Sequence, residues 1–162
     1  MATEIERKFL VTCDDWRQHC TRIERIRDGL IARTGNRKVR VRIAGERATI
    51  AIKAKQKDFT DAEFEYEIPM ADAEELLASH CGEYLLTKIR HYVPYRGLTW
   101  QVDVYEGILA GVTLAEVELP RADVDVPLPG WVGTEVTGKP EYRKFNLHEA
   151  QLHRLRSRVP AR

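Results

Sequence analysis

Along several short stretches of the chain, apolar and polar residues alternate with a period of two, the pattern of a strand whose two faces meet different surroundings. The alternation predicts strands over residues 3–11, around Leu30, and over 38–43, 48–53, 62–68, 86–94, 99–105 and 113–119, about eight in all. Ala44-Gly45-Glu46-Arg47 and Arg96-Gly97 are tight connections between such stretches, so the strands they join are predicted to form antiparallel hairpins. Helical intervals are fewer: 13–27, capped by Thr12 or Asp14; 71–80, after Pro69; and 146–158, capped by Asn146. Residues 120–140 hold four of the seven prolines and read as an ordered, irregular connector, because strands before them and a helix after them leave no second core. The predicted class is α+β, one domain over residues 1–162 built on an antiparallel sheet with a few flanking helices.

Sorting each strand by parity separates its faces. One face collects Glu4, Glu6 and Lys8; Arg40 and Arg42; Lys53 and Lys55; Glu63, Glu65 and Glu67; Lys88 and Arg90; Asp103; and Glu116 and Glu118. The other carries Ile5, Phe9, Val39, Val41, Ile43, Ile50, Ile52, Phe64, Tyr66, Ile68, Ile89, Val102, Val104, Val117 and Leu119. For one strand alone, a solvated outer face explains such charge, with cross-strand ion pairs worth about a few tenths of a kcal/mol each. An ordinary solvated face would also mix in Ser, Thr, Asn and Gln, and these strands repeat charge instead. Eight strands can close into a barrel with room for a small ligand, and with the charged face inward the result is a charged tunnel. By this sorting the tunnel holds seven cations and eight carboxylates. Cations alone would suit a polyanion, whereas carboxylates beside one would repel it unless divalent cations lie between them. Arg offers planar forks and Lys point charges, both suited to phosphate oxygens. Sugars or apolar ligands would call for inward aromatics, and this parity places none.

The composition agrees with one core: 162 residues, 43% apolar and 31% charged. A net charge of +1 gives no global attraction to nucleic acid or to an anionic membrane, so charge must act locally. No apolar run approaches the roughly 18 residues of a membrane span, and MATEIERK lacks a signal-peptide core, which predicts a cytoplasmic protein. Cys13, Cys20 and Cys81 are odd in number and lack CxxC spacing, as reduced structural thiols do. The chain has no GxGxxG, Walker or GxSxG motif, and its five histidines show no metal-binding spacing. Trp16, Trp100 and Trp131 read as packing residues, and 153–162 as a basic, solvated helix end. The apolar outer face of a barrel needs cover from helices or a second subunit, which leaves a homodimer open.

Glu4-Ile5-Glu6-Arg7-Lys8 resembles the E-x-E-x-K signature of the CYTH, or triphosphate tunnel metalloenzyme, family. Five residues are a weak match alone, but the order of the later segments is similar too. Val39-Arg40-Val41-Arg42 resembles the family's paired-arginine strand, Ala51-Ile52-Lys53 its lysine strand and Glu65-Tyr66-Glu67-Ile68 its acidic strand. Lys88-Ile89-Arg90 resembles the K-x-R strand, Asp103 an inward aspartate, and Glu116-Val117-Glu118 the E-x-E strand. The resemblance implies an eight-stranded antiparallel closed β-barrel that binds small triphosphate compounds with Mg²⁺ or Mn²⁺. It implies phosphate contacts from Lys8, Arg40, Arg42, Lys53, Lys88 and Arg90, and metal contacts from Glu4, Glu6, Glu116 and Glu118, joined by Asp103 and by Glu65 from the Glu63–Glu67 group. The family includes inorganic, thiamine and RNA triphosphatases and class IV adenylyl cyclases, and the EIERKFLV opening most resembles small bacterial members that hydrolyse inorganic tripolyphosphate. A binding module without chemistry is the non-enzyme alternative. Two departures stand out. Gly29-Leu30 occupies the place where many members have Gly-Tyr, which leaves Lys8 without a phenol and turns attention to Lys88 as general base. Tyr142-Arg143-Lys144-Phe145-Asn146 matches the basic tail motif only loosely, so Arg143 and Lys144 are either further site candidates or solvated residues before the last helix.

Overall fold

The computed structural model describes residues 2–55 and 60–157. Nine strands and two helices follow in chain order: β1 (Ala2–Val11), β2 (Arg22–Thr34), β3 (Arg37–Ala44), β4 (Arg47–Lys55), β5 (Thr60–Glu67), α1 (Met70–Ser79), β6 (Leu85–Tyr95), β7 (Leu98–Tyr105), β8 (Thr113–Glu118), β9 (Val132–Glu135) and α2 (Lys144–Ser157). They form one sheet in the order β5-β4-β3-β2-β6-β7-β8-β1-β9, with every pairing antiparallel. The sheet curls until β1 also meets β5, over the register from Ala2↔Glu63 to Ile5↔Thr60. Further along β1 its partners are β8, and β9 through Phe9↔Glu135 and Val11↔Val132. The expected ring of eight is thus a curled sheet of nine whose seam is shared by β5 and β9.

Both hairpins form as the turn residues predict. Gly45 sits at φ 58° between β3 and β4, and Arg96 and Gly97 at φ 47° and 82° between β6 and β7. Two successive left-handed residues match the right-handed twist of a two-residue hairpin, at the cost of holding Arg96 where few side chains go.

The helix expected over 13–27 is absent. Only Asp15–His19 turn, as a short 3-10 segment, and Arg22–Thr34 form β2, the longest strand. Ile23 and Ile26, spaced three apart, imitate a helical face within the expected helix, whereas the strand expected around Leu30 lies inside β2. Pairing wins because β2 bonds to β3 on one side and β6 on the other, each over eight positions. The helix expected at 146 starts at Lys144, so Asn146 lies inside its first turn and its amide donates to the Pro140 carbonyl instead of capping. The 120–140 connector contains the short β9, which its Val-Gly-Thr-Glu sequence conceals. Gly133 is needed there: a Cβ would lie 2.9 Å from Thr12 Cγ2 and 3.3 Å from the Leu10 carbonyl oxygen.

The apolar parity face of the sheet points outward and is covered mostly by the chain itself. Val41, Ile43 and Ala48 pack under Ala73, Leu77 and Cys81 of α1 and its C-terminal turn. Gly29 makes this contact possible, since a Cβ would stand 2.4 Å from Cys81 Sγ and 2.7 Å from Leu77 Cδ2. Phe9, Trp100, Val102 and Val117 pack beneath Trp16, Val126 and Trp131, so the proline-rich connector serves as a lid on the outer core. All three tryptophans are buried, as packing residues. Ile52, Phe64 and Tyr66 on β4 and β5 stay exposed.

Candidate active site

The other face of the curled sheet encloses a cavity of about 330 Å³. Every strand except β2, β7 and β9 contributes a charged lining side chain: Glu6 and Lys8 from β1, Lys38, Arg40 and Arg42 from β3, Lys53 and Lys55 from β4, Glu63 and Glu65 from β5, Lys88 and Arg90 from β6, and Glu116 and Glu118 from β8. The rest of the wall is the stretch from Val136 to Lys139 and Tyr142, Arg143 and Lys144 at the start of α2. All six cations expected to contact phosphate therefore meet in one cavity, with four of the expected carboxylates, Glu6, Glu65, Glu116 and Glu118. The Glu4 side chain lies outside the described residues.

The charges interlock. Lys8 Nζ lies 2.9 Å from Glu116 Oε1, and Arg90 Nη2 donates to Glu116 Oε2 at 3.0 Å. Arg90 also grips Asp103 with two bonds of 2.7 and 2.8 Å, and Lys88 donates to the same carboxylate. Asp103 is fully buried under these cations and does not line the cavity. Lys53 pairs with Glu63 at 3.2 Å, and Arg40 Nη2 reaches both Glu63 and Glu65. Arg40 Nε is a buried donor without a hydrogen-bond partner among the described residues.

Burial in this cluster moves the titrations in directions that neighbouring charges decide. Burial opposes the charged form of Glu116, but Lys8, Lys88 and Arg90 outweigh it and hold the carboxyl well below the usual range. Burial likewise opposes the charge of Lys8, and Glu116 and Glu6 reverse it, so Lys8 is a firmly charged amine. Lys88 differs: burial, helped by Arg90 and Arg42, pulls it below the ordinary lysine value in spite of Asp103.

Below the charged layer the same parity turns apolar. Leu30, Leu86, Tyr105 and Leu114, each two residues along its strand from Asp28, Lys88, Asp103 or Glu116, pack with Leu109 and with Phe145 of α2 as an apolar floor. Tyr105 corrects the expectation that no aromatic faces inward. Its ring lies 5.7 Å from Lys88 Nζ, and its buried hydroxyl has no hydrogen-bond partner among the described residues. Leu30 is 6% exposed in this floor, opposite Arg40 in register.

Asp28 and Lys144 complete the cluster. Asp28, 1% exposed, accepts from Arg42 Nε at 2.7 Å and Nη2 at 3.1 Å and from Lys144 Nζ at 2.7 Å. Asp28 went unseen in the sequence because it follows a stretch read as helix. Lys38 was legible as the third member of Lys38-x-Arg40-x-Arg42, a single strand face.

The donors suit a hard divalent cation of the kind that keeps waters and shares phosphate oxygens. Glu6 and Glu118 are directly opposed in the β1/β8 register, a like-charge pairing that a cation would relieve. Among the described residues no three His, Cys, Asp or Glu side chains cluster as a metal cage.

A curled antiparallel sheet with opposed cations and carboxylates on its concave face defines a polyanion-binding protein that works with counter-cations. The chain belongs to the CYTH domain family, which matches residues 2–150. It is 35% identical over 147 residues to the inorganic triphosphatase of Acetivibrio thermocellus, covering 91% of this chain and 94% of that protein. The crystal structure of the inorganic triphosphatase NE1496 superposes with a TM-score of 0.63 at 29% identity, covering 91% of this chain and 95% of that one. The HpAC1 protein of Hippeastrum, described as an adenylyl cyclase candidate with a dominant triphosphatase activity, matches at 14% identity and a TM-score of 0.56, over 73% of this chain and 80% of its own, and shares the fold. No helix among the described residues is long and apolar enough to cross a membrane.

Proposed function

We propose that this chain is a metal-dependent hydrolase of small triphosphate compounds, acting on inorganic tripolyphosphate to give pyrophosphate and phosphate in the cytoplasm. The observation that carries the reading is the convergence of Lys8, Arg40, Arg42, Lys53, Lys88 and Arg90 from four strands on one cavity. The similarity to two inorganic triphosphatases supports the choice of substrate.

The six cations bind and orient the phosphates. Glu6 and Glu118, with Glu65 and Glu4 as further donors, would hold Mg²⁺ or Mn²⁺, which supplies charge neutralisation and Lewis acidity when bound, while Glu116, its oxygens taken by Lys8 and Arg90, positions those cations. Asp103, with its oxygens taken by Arg90 and Lys88, positions those two cations and stays out of the metal set. Lys8, charged throughout, stabilises the terminal phosphoryl group. Lys88, whose amine deprotonates more readily than an ordinary lysine, accepts the proton of the attacking water as its oxygen bonds to the terminal phosphorus and the anhydride bond to pyrophosphate breaks. No phenol is needed at position 30, where Leu30 serves the apolar floor.

Phosphate release from tripolyphosphate, ATP, thiamine triphosphate and pyrophosphate, each with and without metal, tests the reading. Metal-dependent release fastest with tripolyphosphate supports it. Preference for ATP or thiamine triphosphate would move the substrate, cyclic AMP from ATP would make the chain a cyclase, and calorimetric binding without turnover would make it a binding module. The exposed Ile52, Phe64 and Tyr66 are the face on which a second copy would pack, which sedimentation velocity checks.

A further inference from the structure

We infer that Asp28 is a positioning residue, which fixes Arg42 and the C-terminal helix residue Lys144 as one phosphate-facing unit; this rests on the phosphate-binding reading of the cavity. Asp28 does not line the cavity, whereas Arg42 and Lys144 do. Its carboxylate accepts two parallel bonds from the Arg42 guanidinium, the fork arrangement that fixes orientation as well as distance, and its Oδ2 also accepts from Lys144. A third cation, Arg40, has Nε 4.0 Å from Oδ1. One buried acid thus gathers cations from β3 and from the first residue of α2.

The sign of the electrostatics makes the role separable. In a cavity for a polyanion, a carboxylate behind the cations weakens the attraction, so Asp28 as a mere charge lowers affinity. As a positioning group it raises affinity, because an unpinned Arg42 and Lys144 lose their aim. Burial and the neighbouring Arg40, Arg42 and Lys88 hold Lys144 well below the ordinary lysine value even with Asp28 present, so without that partner its charge is harder still to keep. Asp28 also ties α2 to the sheet, beside Phe145, which closes the apolar floor.

The test is tripolyphosphate hydrolysis and thermal unfolding of Asp28→Asn, Lys144→Met and the double variant. The expected result is a KM at least about tenfold higher for Asp28→Asn in spite of the added positive charge, and a double variant that unfolds at a higher temperature than Asp28→Asn yet keeps a KM several-fold above Lys144→Met. An unchanged or lower KM in Asp28→Asn, or a double variant equal to Lys144→Met, overturns the inference. Should Asp28→Asn fail to fold, the comparison of the double variant with Lys144→Met decides, because neither carries a buried amine without its acid. If the wild type releases no phosphate, the hydrolase reading fails by itself. Tripolyphosphate affinity by calorimetry then decides for Asp28 in the same sense: weaker binding by Asp28→Asn supports the role, and equal or tighter binding overturns it.

Discussion

Lys8 and Glu116 stand directly opposite each other across β1 and β8, with Lys8 Nζ 2.9 Å from Glu116 Oε1. This contact joins the first and last of the charged strand motifs, and Arg90 extends it to β6 through the other oxygen of Glu116. A buried acid shared in this way holds two phosphate-facing cations in place without substrate. Lys8→Ala is expected to lower kcat/KM about 10²-fold or more, the scale of losing one charged donor to a developing oxyanion, with the circular dichroism spectrum unchanged. Steady-state assays and spectra on the same sample check it; an unfolded variant would assign Lys8 to structure instead.

The lowered affinity of Lys88 for its proton predicts the pH profile. Its neutral form grows as pH rises through a folded value below 10.5, so kcat rises with pH before the ordinary lysine range. Lys88→Arg keeps the charge and cannot deprotonate there, and its profile should lose the rise along with most of the rate.

Acid stability follows from three carboxylates held below their ordinary values, Asp28 and Asp103 from 3.8 and Glu116 from 4.5. Each binds its proton more weakly when folded, so its contribution is fully present above those values and is lost as pH falls through the lower folded ones. Thermal unfolding from pH 7 downward should therefore show the melting temperature falling below about pH 4.5. Asp103→Asn should flatten that fall while lowering stability at neutral pH, since Lys88 and Arg90 lose a buried partner.

Gly29→Val places atoms where Cys81 Sγ and Leu77 Cδ2 already lie. The substitution should cost about 1–3 kcal/mol by displacing α1 from the outer face of the sheet, measured by denaturant unfolding. Gly29→Ala should cost less.

Most of the site was legible because parity along a strand is a geometric rule. Once Arg40, Arg42, Lys88, Arg90, Glu116 and Glu118 were set on strands, their shared cavity followed. The failures have local causes. In β2, Ile23 and Ile26 carry helical spacing inside the stretch expected as helix, the strand expected around Leu30 covers only its later part, and Asp28 falls between the two readings. Tyr105 and Leu114 obey the parity yet sit where the charged layer gives way to an apolar floor, a change in depth that alternation does not encode. Lys144, a candidate only through the loosely matching tail motif, reaches the site from a helix 116 residues after Asp28, a tertiary contact with no periodic signature. The 3-10 turn and the connector contribute Trp16 and Trp131 to the outer core from segments without regular patterning.

Metal dependence should separate the carboxylates by role. Glu118→Gln is expected to raise the concentration of Mg²⁺ or Mn²⁺ needed for half-maximal rate several-fold, while leaving the melting temperature of the metal-free protein within about 1 °C, as suits an exposed side chain. Glu116→Gln, whose oxygens hold Lys8 and Arg90, should lower the rate at every metal concentration.

The most direct measurement is phosphate release from inorganic tripolyphosphate by the purified protein with Mg²⁺ or Mn²⁺, with excess chelator, and with metal restored. The account predicts turnover that chelator abolishes and metal restores, with pyrophosphate and phosphate formed in equal amounts. Release that persists in chelator, or no release from any triphosphate with metal present, would contradict it.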